Sequence, residues 1–241
     1  MAIRLEKGQR INLEKESGTK LTNFCVGCNW GAIETMAQKE VVVKEGFLGF
    51  GRKTEVRNIK EEIDVDVDLS CVMTDAEGRL VDTLYSPLYN PNMFKSRGLP
   101  VGKDWSADGA MFHTPDDTEG DKGGDDGLDN EIITVDLTKV NPNISQIFFF
   151  LNIFEPKNID FQQIPYVAIR MFEGNPKNAP KKIFAQYDVA KEAQFCGKDA
   201  LIMGKLYRRG NEWKFAAIGD AFSDNNDLRN TVDRIVTKYA K

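Results

Sequence analysis

Through most of the chain, apolar and polar residues alternate with a period of two. From Glu62 to Cys71 the order Glu-Ile-Asp-Val-Asp-Val-Asp-Leu-Ser-Cys predicts a half-buried strand. Side chains two apart in a strand share a face, so Glu62, Asp64, Asp66 and Asp68 are expected to project together while Ile63, Val65, Val67 and Leu69 enter the core. Ile147 to Phe154 is apolar except for Asn152 and is bounded by Asn143 and Pro156, which predicts a short, fully buried strand. Val167–Phe172, Ile183–Tyr187 and Leu201–Tyr207 follow as further strands, separated by Gly, Pro, Asn and Lys. Leu206–Arg209 and Glu212–Phe215 flank Gly210-Asn211, a pair suited to the positive φ angles of a tight hairpin.

Only the C-terminus follows a helical period. Leu228, Val232, Ile235, Val236 and Tyr239 form one stripe, with cap-type residues from Ser223 to Asn226 ahead of it. Packing against a sheet is the simplest use of that stripe. Strands that succeed one another without helices predict antiparallel sheets. The expected fold is therefore all-β, an antiparallel β-sandwich with long loop insertions and a C-terminal α-helix. One domain is expected over 1–241, with 222–241 packing on it as the helix. The predicted loop insertions are residues 32–60, where Gly46, Gly49 and Gly51 sit among charges, and residues 86–111, which hold Pro87, Pro91 and Pro100.

The 241 residues are 41% apolar and 10% aromatic, ample for a core and too rich in aromatics for a disordered chain. No apolar run approaches the roughly 18 residues of a membrane helix, and the first residues lack the apolar stretch of a signal peptide. The cytoplasm is the predicted compartment. Of 37 acidic residues, eight lie between Asp116 and Glu131, against one of the 32 basic residues, Lys122. The other residues carry 29 acids and 31 bases, so the net charge of −5 comes from one loop. A basic footprint for nucleic acid is absent.

Cys25 and Cys28 have zinc-knuckle spacing, but a closed zinc site needs four ligands, and Cys71 and Cys196 stand alone. All four cysteines are read as reduced thiols, used as small buried residues in strands. Gly46 to Thr54 nearly matches a phosphate loop, but Arg52 stands where the lysine belongs and no strand–loop–helix alternation surrounds it. The single histidine, His113, has no nucleophile–base constellation to join.

The acidic loop carries the strongest chemical signal. Like charges repel, and Gly120, Gly123, Gly124 and Gly127 keep the backbone pliable. A hard cation such as Ca²⁺, which takes six to eight oxygens, would relieve that repulsion. The EF-hand pattern fails: counted from Asp121, position 6 is Asp126 and position 12 is Ile132. The acids of strand 62–70 face the same difficulty, and a cation shared between strand and loop would relieve both.

Several separated motifs, in order, resemble the TerD family of bacterial tellurium-resistance and stress proteins. Leu5-Glu6-Lys7-Gly8-Gln9-Arg10-Ile11-Asn12-Leu13 resembles its N-terminal strand. Asn29-Trp30 is similar to its Gly-Trp-Asp, with Gly31 where the aspartate stands. Asp66-Val67-Asp68-Leu69-Ser70-Cys71 is similar to its Asp-Leu-Asp-Ala-Ser strand. Asp116-Asp117, Gly120 and the run to Asp125-Asp126 and Glu131 resemble its Gly-Asp-Asn…Gly-Asp-Asp-Glu calcium motif. Leu151–Phe154 and Gly204–Gly219 match two further segments. The resemblance leaves out roughly 32–60, 86–111 and the final helix.

What the resemblance implies is a cytoplasmic, Ca²⁺-binding, non-catalytic β-sandwich serving tellurite and general stress resistance. Its partners would be calcium ions and other stress- or tellurite-resistance proteins at the inner membrane surface. The expected ligand pool is Asp66, Asp68, Asp116, Asp117, Asp125, Asp126, Asp129 and Glu131, with Asp121 in reserve, for one or two ions. The loop is a few residues longer than the family pattern, so its Gly-Asp-Asp-Glu can be laid on Gly124-Asp125-Asp126 or ended on Asp129-Asn130-Glu131. Gly31 removes a carboxylate that the family often offers. Two other readings use the same acids: a Mg²⁺-dependent hydrolase, and a module that docks on a membrane or partner through bound calcium.

Overall fold

The computed structural model describes residues 2–15, 17–44, 52–189, 193–210 and 212–241. In chain order the strands are β1 (Ile3–Arg4), β2 (Arg10–Asn12), β3 (Asn23–Trp30), β4 (Ile33–Lys44), β5 (Lys53–Ile63), β6 (Asp66–Thr74) and β7 (Leu80–Leu84). They continue as β8 (Met111–His113), β9 (Glu131–Asp136), β10 (Gln146–Glu155), β11 (Val167–Glu173), β12 (Lys182–Asp188), β13 (Ala200–Arg209) and β14 (Glu212–Phe222). A short helix α1 (Pro91–Lys95) follows β7, and α2 (Leu228–Arg234) runs into a π-helical turn at Ile235–Tyr239.

Two six-stranded sheets, ordered β1-β12-β11-β3-β9-β8 and β2-β14-β13-β10-β6-β7, face each other. All pairings in them are antiparallel except β1 with β12. Val67, Leu69, Phe149, Leu151 and Ile153 of the second sheet meet Val26, Trp30, Ile133, Ile169 and Met171 of the first in one buried core. β10 is apolar on both faces because both are covered. Phe149 points inward, while Phe148 and Phe150 enter a second cluster with Leu228, Val232 and Ile235 of the C-terminal helix. At about 1.5–3 kcal/mol for each fully buried Phe, this double coverage explains why no polar alternation is needed there.

Asp227 caps α2 by accepting from the Arg229 amide, and the helix lies on the sheet as its apolar stripe predicts. The 206–215 hairpin forms with Arg209 opposite Glu212 and Gly210 at φ 62. Asn211, most of the glycine-rich 46–54 segment, and the tip between β4 and β5 lie outside the described residues.

Four expectations need correcting. Residues 32–60 are not a loop: β4 and β5 pair from Ile33↔Ile63 to Lys44↔Lys53 as a separate two-stranded ribbon. None of its described side chains is buried, and Met36 and Val56 are 64% and 62% exposed. With water on both faces, the ribbon needs no apolar alternation, which is why a hydrophobic pattern does not reveal it. The 86–111 segment is not merely a surface excursion, since Tyr89 and Phe94 pack with Tyr85 and Phe154 on the outer side of the second sheet. The predicted strand at 62–70 is two strands. The chain breaks at Asp64–Val65, so Ile63 ends the ribbon at 37% exposure rather than entering the core. The Val65 carbonyl accepts the Trp30 indole N–H at 2.7 Å and its amide donates to Glu119 O at 3.3 Å, which anchors that break. Cys25, Cys28 and Cys71 are buried as expected, but Cys196 is exposed beside a turn.

Candidate metal centre

The loop between β8 and β9 is fastened at its base by Thr114. Its amide donates to Ile132 O, and its hydroxyl accepts from the Ile132 amide, both at 2.9 Å. Asp117 Oδ1 turns the next residues by accepting from the amides of Glu119 (2.9 Å) and Gly120 (3.1 Å). Gly120 has φ +73, and a Cβ there would lie 2.5 Å from Trp30 Nε1, so position 120 requires glycine on both counts. Asp121 then pairs with the end of β3: its amide donates to Trp30 O and its carbonyl accepts from Ala32 N, both at 2.9 Å. The acidic loop is thereby laid across the end of the sandwich where β6 begins.

That placement creates two carboxylate clusters. Oxygens of Asp66, Asp68 and Asp116 lie within 4.8 Å of one another, joining the strand to the loop. Asp68 is only 3% exposed and accepts the Tyr89 hydroxyl at 2.7 Å. Asp66 Oδ1 and Asp116 Oδ1 are buried and have no hydrogen-bond partner among the described residues. Burial, then the charges of Asp116, Glu155 and Asp117, push the Asp66 carboxyl up to about 7. Burial and Asp66 raise Asp68 well above the ordinary carboxylate range. Glu155 enters this field because β10 places it opposite Asp66.

The second cluster, Asp121, Asp125 and Asp126, is more exposed, and protein donors engage it. Asp121 accepts from the Tyr166 hydroxyl (2.9 Å), Asn130 Nδ2 (3.2 Å) and the Asp126 amide (3.3 Å). Asp125 accepts from Asn29 Nδ2 (3.1 Å) and the Gly127 amide (2.7 Å), and Asp126 from the Leu128 amide (2.8 Å).

The remaining expected ligands lie in neither cluster. Asp117 braces the loop and also accepts Asn130 Nδ2 at 3.1 Å. Asp129 pairs with Arg170 at 2.7 Å; burial outweighs that guanidinium and raises its carboxyl to about 6. Glu131 is 0% exposed, and both its oxygens face backbone amides, Leu69 at 2.6 Å and Asp117 at 3.3 Å. His113 lies 3.7 Å from Glu131 and directs its ring nitrogens at the carbonyls of Leu69 (2.7 Å) and Thr114 (2.5 Å). Nor do all four acids of the 62–68 stretch converge. Glu62 accepts the Gly123 amide at 2.9 Å, and Asp64 pairs with Lys122 at 3.1 Å.

Sequence reasoning passed over Asn29, Tyr89, Asn130 and Tyr166, the neutral donors that hold these acids. Asn130 is the most connected: its amide nitrogen reaches Asp117 and Asp121, while its oxygen accepts the Trp30 amide at 2.9 Å. At Gly31, a Cβ would lie 2.6 Å from the Tyr166 ring, so Tyr166 occupies the room a side chain there would need.

A distance of 4.8 Å fits one ion touching three oxygens, because ligands about 2.3–2.6 Å from calcium are at most about 5 Å apart. Buried carboxylate oxygens without donors are what a cation would satisfy.

Comparison with known proteins agrees with this architecture. The TerD domain matches residues 1–234. Stress response protein SCP2 of Bacillus subtilis is 31% identical over 99% of this chain and 100% of its own length. Tellurium resistance protein TerD of Serratia marcescens is 26% identical, covering 92% of each chain. A solved homologue of telluride resistance protein (TerD) from Streptomyces coelicolor A3(2) superposes with a TM-score of 0.55 at 14% identity, over 91% of this chain and 98% of that one, and so shares the fold. The chain belongs to the TerD family.

Proposed function

We propose that this protein is a non-catalytic calcium-binding member of the stress-response and tellurium-resistance group, with its principal ion held by Asp66, Asp68 and Asp116. The observation that carries this reading is the set of buried, donor-free oxygens on Asp66 and Asp116 beside a third buried carboxylate. Several carboxylates within reach of one ion suit calcium, whereas magnesium usually keeps its waters and takes one or two carboxylates. Asp121, Asp125 and Asp126 form a weaker, outer position, since protein donors already occupy their oxygens. The stress and tellurium roles rest on the names of the relatives. The absence of catalysis rests on the single histidine, whose ring nitrogens both face backbone carbonyls.

Calcium that binds the folded state alone stabilises it by mass action, about 2.7 kcal/mol at a hundredfold excess over Kd. Thermal unfolding in EGTA, millimolar MgCl₂ and millimolar CaCl₂ tests this. A melting temperature raised by calcium and much less by magnesium supports the reading. Equal curves in all three would remove it.

A further inference from the structure

The outer face of the second sheet, near its β2 edge, carries a cavity that the acidic site does not use. In register, Arg10 lies opposite Ala216, Ala216 opposite Lys205, and Lys205 opposite Phe148. The neighbouring row is Asn12, Lys214, Tyr207 and Gln146. Opposed residues share a face, as do residues two apart, so Arg10, Lys205 and Lys214 project from one side of the sheet. A cavity of about 450 Å³ opens there, lined by Arg10, Ser145, Lys205, Tyr207, Arg208 and Ala216 among others. Its volume falls within the roughly 300–1,000 Å³ of small-molecule sites.

The cations of this face have neutral partners. Lys205 donates to Gln146 Oε1 at 2.6 Å and to the Tyr239 carbonyl at 3.2 Å, and sits 5.0 Å over the Phe148 ring. Lys214 donates to Asn12 Oδ1 at 2.9 Å, while Arg208, at the cavity rim, turns to the opposite side of the sheet and donates to the carbonyls of Ile144 (2.8 Å) and Val140 (3.2 Å). The Arg10 side chain has no hydrogen bond or ion pair among the described residues. The acids of β14 on either side of Ala216 are engaged elsewhere: Glu212 pairs with Lys20 at 3.0 Å, and Asp220 pairs with Lys7 and accepts the Tyr239 hydroxyl. In a chain of net charge −5, a half-buried lysine facing an arginine with no carboxylate between them is a costly arrangement unless an anion joins it. The small side chain of Ala216 leaves the space between the two cations open, and the hydroxyls of Ser145 and Tyr207 add donors at the wall.

We propose that this cavity binds a phosphomonoester, its phosphate held between Arg10 and Lys205 above Ala216. A phosphomonoester carries about −1.5 to −2 charge at pH 7, matching two cations that have no carboxylate partner among the described residues, and its oxygens suit the fork of a guanidinium. The cavity is larger than a phosphate alone, which leaves room for an organic group beside the Tyr207 ring.

The test is a binding titration of the full chain at constant ionic strength in EGTA, so that calcium plays no part. Glycerol 3-phosphate is the soluble probe, with glycerol as its control. Vesicles of phosphatidylcholine with phosphatidic acid present the same phosphomonoester on a membrane, with pure phosphatidylcholine as their control. We expect saturable binding that Arg10→Gln and Lys205→Met each weaken about tenfold or more. Ala216→Phe, which fills the space between them, abolishes it. Lys20→Gln, an equal change of charge away from the cavity, leaves it intact. Arg10 is exposed on an edge strand, so Arg10→Gln keeps the fold even if the interior variants do not. Binding of glycerol 3-phosphate with this variant pattern assigns a soluble ligand, and binding of the acidic vesicles alone with the same pattern assigns a lipid headgroup. No saturable binding to either probe, or equal weakening by Lys20→Gln, overturns the proposal.

Discussion

The two acid clusters contain three aspartates each, yet they are built on opposite principles. Asp121, Asp125 and Asp126 are held by hydroxyl, side-chain amide and backbone donors, and those hydrogen bonds give the loop its shape without any ion. Asp66, Asp68 and Asp116 are more deeply placed; Tyr89 donates to Asp68, while two of the cluster's oxygens have no donor among the described residues. Satisfied carboxylates shape a loop; unsatisfied buried ones repel each other and lower the stability of the ion-free fold. The number of acids therefore says little about where a cation binds. The decisive quantity is how many acid oxygens the protein itself leaves without a donor.

The largest expected effect separates the clusters directly. Asp68→Ala should lower calcium affinity by about a hundredfold or more, beyond the roughly 10–100-fold that supporting partners cost, whereas Asp125→Ala should cost about tenfold at most. In EGTA the sign reverses. Asp68→Asn, which removes one of the crowded charges, should raise the melting temperature by about 2–4 °C if it relieves about 1 kcal/mol. A fall in EGTA would mean that the inner carboxylates are not in conflict.

Next in size is the loop's anchoring to the sandwich. Gly120→Ala should destabilise by about 1–3 kcal/mol, through both its positive φ and the contact with Trp30. Gly123→Ala has a similar φ of +76 but open space around the new methyl, and should cost about 1 kcal/mol or less. Urea denaturation of the two variants measures the difference, which is the contribution of the Trp30 contact.

The pH dependence follows from Asp66. Its carboxyl is raised to about 7 in the folded protein, against about 3.9 in an unfolded chain, so the folded state binds the proton more tightly. The stabilising effect of that proton is fully present below about pH 4 and is lost as the pH rises through about 7. In EGTA, the urea midpoint should accordingly fall between pH 5 and pH 7.5 through this group. In saturating calcium the fall should shrink or reverse, because protons and the ion compete for the same oxygens. The smallest effect is Tyr89→Phe, which removes the donor to Asp68 and should weaken calcium binding by a few-fold, about 1 kcal/mol.

What was readable from sequence was whatever leaves a periodic trace. β10 declares itself by continuous apolarity, the C-terminal helix by its stripe, and the acids of 116–131 by their density. The β4–β5 ribbon leaves none, because solvent on both faces removes the selection for alternation. The break at Asp64–Val65 was hidden by a local alternation that continues through it. It is imposed from a distance, by the Trp30 indole and Glu119. The same holds at the site. Charge pointed to the pool of acids, but Asn29, Tyr89, Asn130 and Tyr166 are neutral residues whose part arises only when the chain folds them beside the carboxylates.

The most direct test is equilibrium dialysis of the EGTA-stripped protein against labelled calcium, comparing the unaltered chain with Asp68→Ala and Asp125→Ala. The account predicts a tighter class of bound calcium that Asp68→Ala eliminates and Asp125→Ala retains. No retained calcium in the unaltered chain, or a tighter class lost in Asp125→Ala and kept in Asp68→Ala, would contradict it.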